Sequence, residues 1–286
     1  MTATLWHTLI EPWQQGIDRR ALLEIVLLGL TGGALGCWII FYNLSYSTES
    51  LAHALLPGLV LAALTGIPLI LGGAAGLVVA ALAIAAAART PAVGRDTAVA
   101  VVVTGLLGLG ALLALSPATP AGLGELLFGD VLGVSDADLA LATALAAGVL
   151  LALLALHGRL LLVGFDRLNA RALGVNPTAI DVALLLLVAA ALLVAVQGLG
   201  NLLVVAVLVG PAAVARTLTK RMSTMMLTAA ATATLAGLGG MYMSYYARTA
   251  AGASIAAVIC GVYALALVTR SIPRMTRAAP RRALRP

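Results

Sequence analysis

The chain has 286 residues, of which 62% are hydrophobic and only 10% charged, and its mean hydropathy is +1.08. Soluble domains are about half apolar and a quarter charged, so this composition excludes a water-exposed globule. The net charge of +6 would suggest nucleic acid in a soluble protein, but here the basic residues cluster in short loops and at the C-terminus, where they act as topology signals. Leu, Ala, Val and Gly run on without the alternation of barrel strands, which points to helices. The expected fold class is all-α: one polytopic transmembrane helical bundle.

In chain order, residues 1–20 form a mixed segment with Trp6, His7, Glu11, Trp13, Arg19 and Arg20, which reads as an N-terminal interfacial segment. It lacks the pattern of a cleaved signal and is expected to be retained. Apolar segments follow at roughly 21–42, 51–71, 73–88, 97–115, 138–156, 178–196, 198–215, 222–246 and 252–269. That makes about nine hydrophobic segments and eight or nine spans in a single transmembrane domain, 21–270. Residues 121–134 are too short and acidic for a span and read as a short helix or re-entrant piece. Residues 271–286 form a basic tail.

Arginines and lysines follow the third, fifth, seventh and ninth segments. The positive-inside rule makes that side cytoplasmic, with the N-terminus outside and the C-terminus inside. Arg19 and Arg20 fall on the opposite side, where they could meet an acidic partner or lipid headgroups. Glycines within the spans, such as Gly29 and Gly33, suit close helix packing. Cys37 and Cys260 sit singly in apolar runs and read as small buried hydrophobes.

The stretch STESLAHALLPG, residues 47–58, carries the chemistry. It sets Glu49 and His53 four apart, hence on one face of a helix, so one cation could touch both. An acid at mid-span costs roughly 2.5–3.5 kcal/mol on insertion scales, so such groups usually mark a transport path. The plainer alternative is that the two side chains merely pair with each other. Among other ionisable groups, Asp181 and Asp96 suit helix starts. Glu24 and Gln197 enter apolar runs and could line a path, and Tyr245 and Tyr246 suit an interfacial belt.

Residues 158–181 are the longest polar interruption. Within them FDRLNARALG offers Ala170, Ala172 and Leu173 as an apolar face beside Asp166, Arg167, Asn169 and Arg171. Gly174 closes the helix and Pro177 starts the next. A short amphipathic helix of this kind can insert into a partner's groove, or be an ordinary solvated loop.

Six blocks then become recognisable. STESLAHALLPGLVLAALTGIP resembles the stretch around G-D-x-L-S-H-x-x-L-P-G in permease subunits of zinc and manganese ABC importers. GRDTAVAVVVTGLLGLGALLAL, LLFGDVLGVSDADL, FDRLNARALGV, LLVVAVLVGPAAVARTLTKRM and LAGLGGMYMSYYARTAAGASIAAV look like further blocks of that family, in its order. The resemblance implies a type II, vitamin B12-like importer fold and a homodimer. It also implies ATP-binding subunits on the cytoplasmic face, an extracytoplasmic metal-binding protein, and a bacterial plasma membrane. It makes Glu49 and His53 the metal pair and residues 164–176 the coupling segment, with Asp166, Arg167, Asn169, Arg171, Ala172, Leu173 and Gly174 toward the ATPase. Arg19 and Arg20 become candidates for docking the binding protein. The chain departs from the pattern at Glu49, usually aspartate, at Ala52, usually serine, and at Tyr42–Asn43, where a basic pair is frequent. Arg248 and Ala250 stand where an acid and a proline are common.

A carboxylate with an imidazole suits zinc first and manganese next. Two protomers on a two-fold axis would double the pair to four ligands. The chain contains no G-x-x-x-x-G-K-[ST] loop, so ATP is expected only on a partner subunit, and the protein is expected to be a transport subunit rather than an enzyme. The rival readings are a secondary metal transporter without an ATPase, for which few intramembrane acids are available, and an intramembrane metalloenzyme, which lacks H-E-x-x-H.

Overall fold

The computed structural model describes residues 16–87, 95–116, 135–199 and 203–277, and the described residues are helical apart from short connections. The helices are α1 (Gly16–Phe41), α2 (Ser45–Thr65), α3 (Leu69–Ala87), α4 (Arg95–Ala114) and α5 (Asp136–Phe165). They continue with α6 (Arg167–Ala172), α7 (Pro177–Leu199), α8 (Val204–Leu218), α9 (Met222–Ala247) and α10 (Ala251–Arg277). His7 and the 121–134 piece lie outside the described residues.

Every apolar run becomes a helix, but crossing length is not shared equally. Six helices are long and apolar enough to span: those over Arg19–Phe41, Ser45–Thr65, Asp136–Phe165, Pro177–Val196, Met222–Ala247 and Ala251–Arg270. Leu69–Ala83, Val99–Ala114 and Val204–Leu218 are shorter apolar stretches, although the helices that hold the first two run to 19 and 20 residues, close to the roughly 20 that hydrocarbon requires of a straight helix. Of the eight or nine spans expected from nine apolar segments, six have candidates by length and composition among the described residues, and the other three segments form the shorter apolar stretches.

Two boundaries move for local reasons. Helix α1 starts at Gly16, so Arg19 and Arg20 belong to it rather than to a separate interfacial segment. Helix α2 starts at Ser45, six residues before its apolar run, because the polar stretch SYSTES is already wound. Thr48 donates both its N–H (2.8 Å) and its hydroxyl (2.9 Å) to the Leu44 carbonyl. The helix ends at Thr65, where Gly66 takes the left-handed conformation (φ 72°) and Pro68 follows.

Helix α1 is the axis of the bundle. Leu35, Trp38 and Ile39 are fully buried, and the helix packs along α9, α8 and α5. A side chain at Gly33 would strike the Ala230 backbone, so glycine lets α1 and α9 approach as membrane helices do without a hydrophobic drive between them. Helices α2, α3 and α4 form a second group, closed by the Gly58–Gly72 contact, and meet the first group more sparingly. Helices α1 and α5 are parallel: Arg20 pairs with Asp136 at one end, while Phe41 and Tyr42 meet Phe165 and Leu160 at the other. At the first end a reciprocal cap fixes the start of α5. The Ser135 hydroxyl accepts from Asp138 N–H (3.2 Å) and the Asp138 carboxylate accepts from Ser135 N–H (3.1 Å).

Candidate functional site

Glu49 and His53 both fall within α2, about 6 and 12 Å along its axis from Ser45 at 1.5 Å per residue. Glu49 is exposed on the single chain, and His53 is partly buried. The two do not pair: neither side chain makes a hydrogen bond or ion pair among the described residues, and the His53 Nδ1 atom is buried without a partner. A buried polar atom left unsatisfied is costly, so this nitrogen is suited to a ligand from outside the chain. Pro57 lies four residues on, inside the helix. It has no N–H to return to the His53 carbonyl, which leaves a backbone oxygen beside the imidazole without its ordinary helical donor.

One chain does not complete such a site. Among the described residues no three His, Cys, Asp or Glu side chains stand close enough to hold a metal. Glu24, a candidate path residue, is buried (3% exposed) in α1 with Oε2 unpartnered, on a different helix from Glu49. Asp96 falls in the first turn of α4 and Gln197 in the last turns of α7.

At the α1–α2 corner the chain turns in three residues. Leu44 N–H bonds the Ile39 carbonyl (2.8 Å) and Asn43 N–H bonds that of Ile40 (3.2 Å), with Asn43 left-handed (φ 56°). This paired closure is the Schellman pattern, with asparagine where glycine is commonest. Arg216 adds a donor to the Ile40 carbonyl (3.3 Å), a cation at a helix C-terminus.

The segment expected to couple is built from its own sequence. Asp166 accepts from Leu168 N–H (2.9 Å) and Asn169 N–H (3.0 Å), which starts α6. Gly174, at φ 79°, ends it: its N–H meets the Arg171 carbonyl (3.0 Å), and Val175 N–H meets that of Ala170 (2.9 Å). Asn176 then caps α7 at Thr178 N–H (3.0 Å), with Pro177 at the first helical position. Arg167 forms a two-pronged ion pair with Asp181 at 2.8 and 3.0 Å. The hydrogen bonds that Arg167 donates to Asp181 are the main reason the guanidinium titrates even higher than usual. Asp181 thus holds α6 against α7 rather than serving only as a helix-start acid.

The apolar face of α6 differs from the pattern reading. Ala170 is fully buried against the bundle and anchors the helix. Leu168 (77% exposed) and Leu173 (64%) stand outward with Asn169, Arg171 and Ala172, and Phe165 (78%) lies beside them. Leu168 and Phe165 were missed because a two-turn helix gives too few positions for periodicity to choose a face.

At the opposite end, Arg20 is engaged by Asp136 (Nε to Oδ1, 2.8 Å; Nη2 to Oδ2, 2.9 Å), whereas Arg19 is exposed and makes no ion pair among the described residues. Tyr245 and Tyr246 are partly exposed near the end of α9, their rings edge to face at 5.1 Å.

Fold and site together define a polytopic helical membrane protein with an unpaired acid–histidine couple in one helix and a capped two-turn helix projecting between two others. Residues 15–270 match the ABC 3 transport family. The chain belongs to this family, in agreement with the six sequence blocks. It is 34% identical over 249 residues to the manganese transport system membrane protein MntC of Halalkalibacterium halodurans, covering 87% of this chain and 85% of that one. It is 31% identical over 268 residues to the "probable iron transport system membrane protein" of Haemophilus influenzae, covering 94% and 99%. Among solved structures it resembles PsaBC from Streptococcus pneumoniae in complex with a Fab, with a TM-score of 0.86, 26% identity, and coverage of 92% of this chain and 95% of that chain.

Proposed function

We propose that this chain is the permease subunit of an ABC importer that carries a divalent first-row metal ion into the cytoplasm, with Glu49 and His53 as its ligands. The single observation that carries the reading is the buried, unpartnered Nδ1 of His53 one helical turn from the exposed Glu49 carboxylate. Relatives named for manganese and iron transport favour those ions. Zinc, the first expectation from the sequence, fits the same donors and is an arm of the test.

Two side-chain ligands hold an ion weakly, and a two-fold partner would bring the side-chain count to four. An exposed carboxylate in a spanning helix is explained if a second copy, or the path between copies, covers it. A site that forms and dissolves as the copies rock would bind and then release its cargo, as conduction requires. The inside-negative potential already favours entry of a dication, by about 4.6 kcal/mol per 100 mV at about 2.3 per charge. ATP hydrolysed on separate subunits would serve to strip the ion from its delivery protein and reset the gates.

In this reading the α6 end of the bundle is cytoplasmic and Leu168, Leu173 and Arg171 meet the ATPase. The Arg19–Arg20 end is extracytoplasmic, facing the delivery protein. Metal uptake by proteoliposomes holding the whole importer tests the proposal: Glu49→Ala and His53→Ala abolish uptake while subunit assembly persists. Uptake at the wild-type rate in both variants would refute the site, and competition among manganese, iron and zinc identifies the cargo.

A further inference from the structure

We infer that the Phe41–Tyr42 corner is the joint through which movement of the α6 segment reaches Glu49 and His53, so that Phe41 and Tyr42 transmit motion to the metal pair without shaping its resting geometry. The inference rests on the function proposed above for those two sites. Three contacts converge on the corner. The Tyr42 hydroxyl donates to the Leu160 carbonyl at 2.7 Å, across 118 residues of sequence. The Phe41 ring meets the Phe165 ring edge to face at 5.2 Å, and Phe165 is the residue immediately before the Asp166 cap of α6. One turn back, Trp38 meets His157 edge to face at 5.4 Å. A side chain at Gly164 would collide with the Phe41 ring, so the last turn of α5 is shaped to seat it.

Each link in the chain from α6 to the ligands is a direct contact or a short run of backbone. Helix α6 is locked to α5 by the Asp166 cap and to α7 by the Arg167–Asp181 pair. The end of α5 holds Phe41 and Tyr42. From there the doubly bonded turn at Asn43 and Leu44 passes directly into α2, since Leu44 O already accepts from Thr48 N–H. Glu49 and His53 follow within two turns. Besides this covalent corner the α2–α4 group meets the first group through limited packing of α2 on α7 and α8 and of α3 on α7, which leaves the corner as the continuous route between α6 and the ligands. Burial pushes the Tyr42 hydroxyl up to about 12, with Asp181 adding to the rise and Arg167 opposing it, so Tyr42 keeps its proton and remains a donor.

The test uses the complete importer, with its ATPase subunits and delivery protein, in proteoliposomes. Radiolabelled manganese taken up is measured per ATP hydrolysed. Tyr42→Phe keeps the ring and removes one hydrogen bond. It is expected to lower the transport-to-hydrolysis ratio about fivefold, the scale of one ordinary net hydrogen bond. Basal hydrolysis and manganese binding by the nucleotide-free complex stay at wild-type levels. Phe41→Leu should act in the same direction, and it carries the test if Tyr42→Phe fails to assemble. A wild-type ratio in the assembled variants, or a loss of manganese binding at unchanged ratio, overturns the inference. Glu49→Ala with uptake intact overturns the metal-site reading instead, so the two failures are distinguishable.

Discussion

Arg167 grips both carboxylate oxygens of Asp181 at 2.8 and 3.0 Å, folding α6 back onto the second turn of α7. The geometry is the planar fork that arginine alone provides, yet Arg167 is 55% exposed and Asp181 31%. Exposed pairs contribute about 0–1 kcal/mol. A double-mutant cycle of Arg167→Ala and Asp181→Ala on thermal unfolding in detergent is therefore expected to return a coupling energy below about 1 kcal/mol. The functional effect should exceed it. Under the coupling role proposed for α6, loss of the pair frees the helix to reorient, so affinity for the ATPase subunit, measured by titration, should fall in Arg167→Lys as well as in Arg167→Ala. Unchanged affinity in both would show that the pair is ornamental to docking.

Manganese should stabilise the assembled permease without being needed to fold it. Glu49 is exposed and His53 only partly buried, and neither joins the apolar core. A ligand that binds only the native state adds about 2.7 kcal/mol at a hundred times its dissociation constant. Melting of the purified protein should therefore rise with added manganese, fall back with chelator, and not respond in His53→Ala. A chelator that melted the wild-type protein outright would mean the metal is structural. Glu49→Asp keeps the charge and shortens the reach by one methylene, so it should retain uptake while changing the order of preferred ions.

How far the sequence reveals this molecule depends on whether the determining contact is local. Apolar runs located every long helix, because burial in lipid is a property of composition. The start of α2 was misplaced because SYSTES is polar, and its winding is fixed by the turn at Asn43 rather than by hydropathy. Asp166 and Gly174 were legible as helix cap and stop, since capping chemistry is read over a few residues. The Tyr42–Leu160 bond and the Arg20–Asp136 pair join residues 118 and 116 positions apart. No periodicity announces contacts of that kind. Glu49 and His53 were legible as a pair, but that they would leave each other unbonded was not.

The two neighbouring arginines at the start of α1 should behave differently. Arg20 is neutralised by Asp136, whereas Arg19 is exposed and makes no ion pair among the described residues. Under the proposed orientation, Arg19→Glu slows association of an acidic delivery protein, and the difference from wild type shrinks as salt rises. Arg20→Ala should alter association less and loosen the start of α5 instead, visible as faster amide exchange at residues 136–142. Equal association rates for wild type and Arg19→Glu at low salt would remove Arg19 from the docking surface.

Pro57 gives the last prediction its sign. A proline inside a helix usually costs about 3 kcal/mol, through the missing N–H and the clash of its ring with the carbonyl four residues back. In α2 that carbonyl belongs to His53, and Pro57 itself is buried beside Leu56 against Gly110 of α4. If the proline only shaped packing, Pro57→Ala would relax the helix and leave metal affinity alone. If its role is to keep the His53 carbonyl available next to the imidazole, Pro57→Ala restores the N–H, ties that oxygen into the helix and weakens manganese binding. We expect the second result: a protein at least as stable as wild type, binding manganese about tenfold more weakly, as loss of about 1.4 kcal/mol gives. Calorimetric titration of the assembled variant measures the affinity and detergent melting measures the stability. Retained affinity with raised stability would assign Pro57 to packing and leave the imidazole and the Glu49 carboxylate as the only donors from each chain.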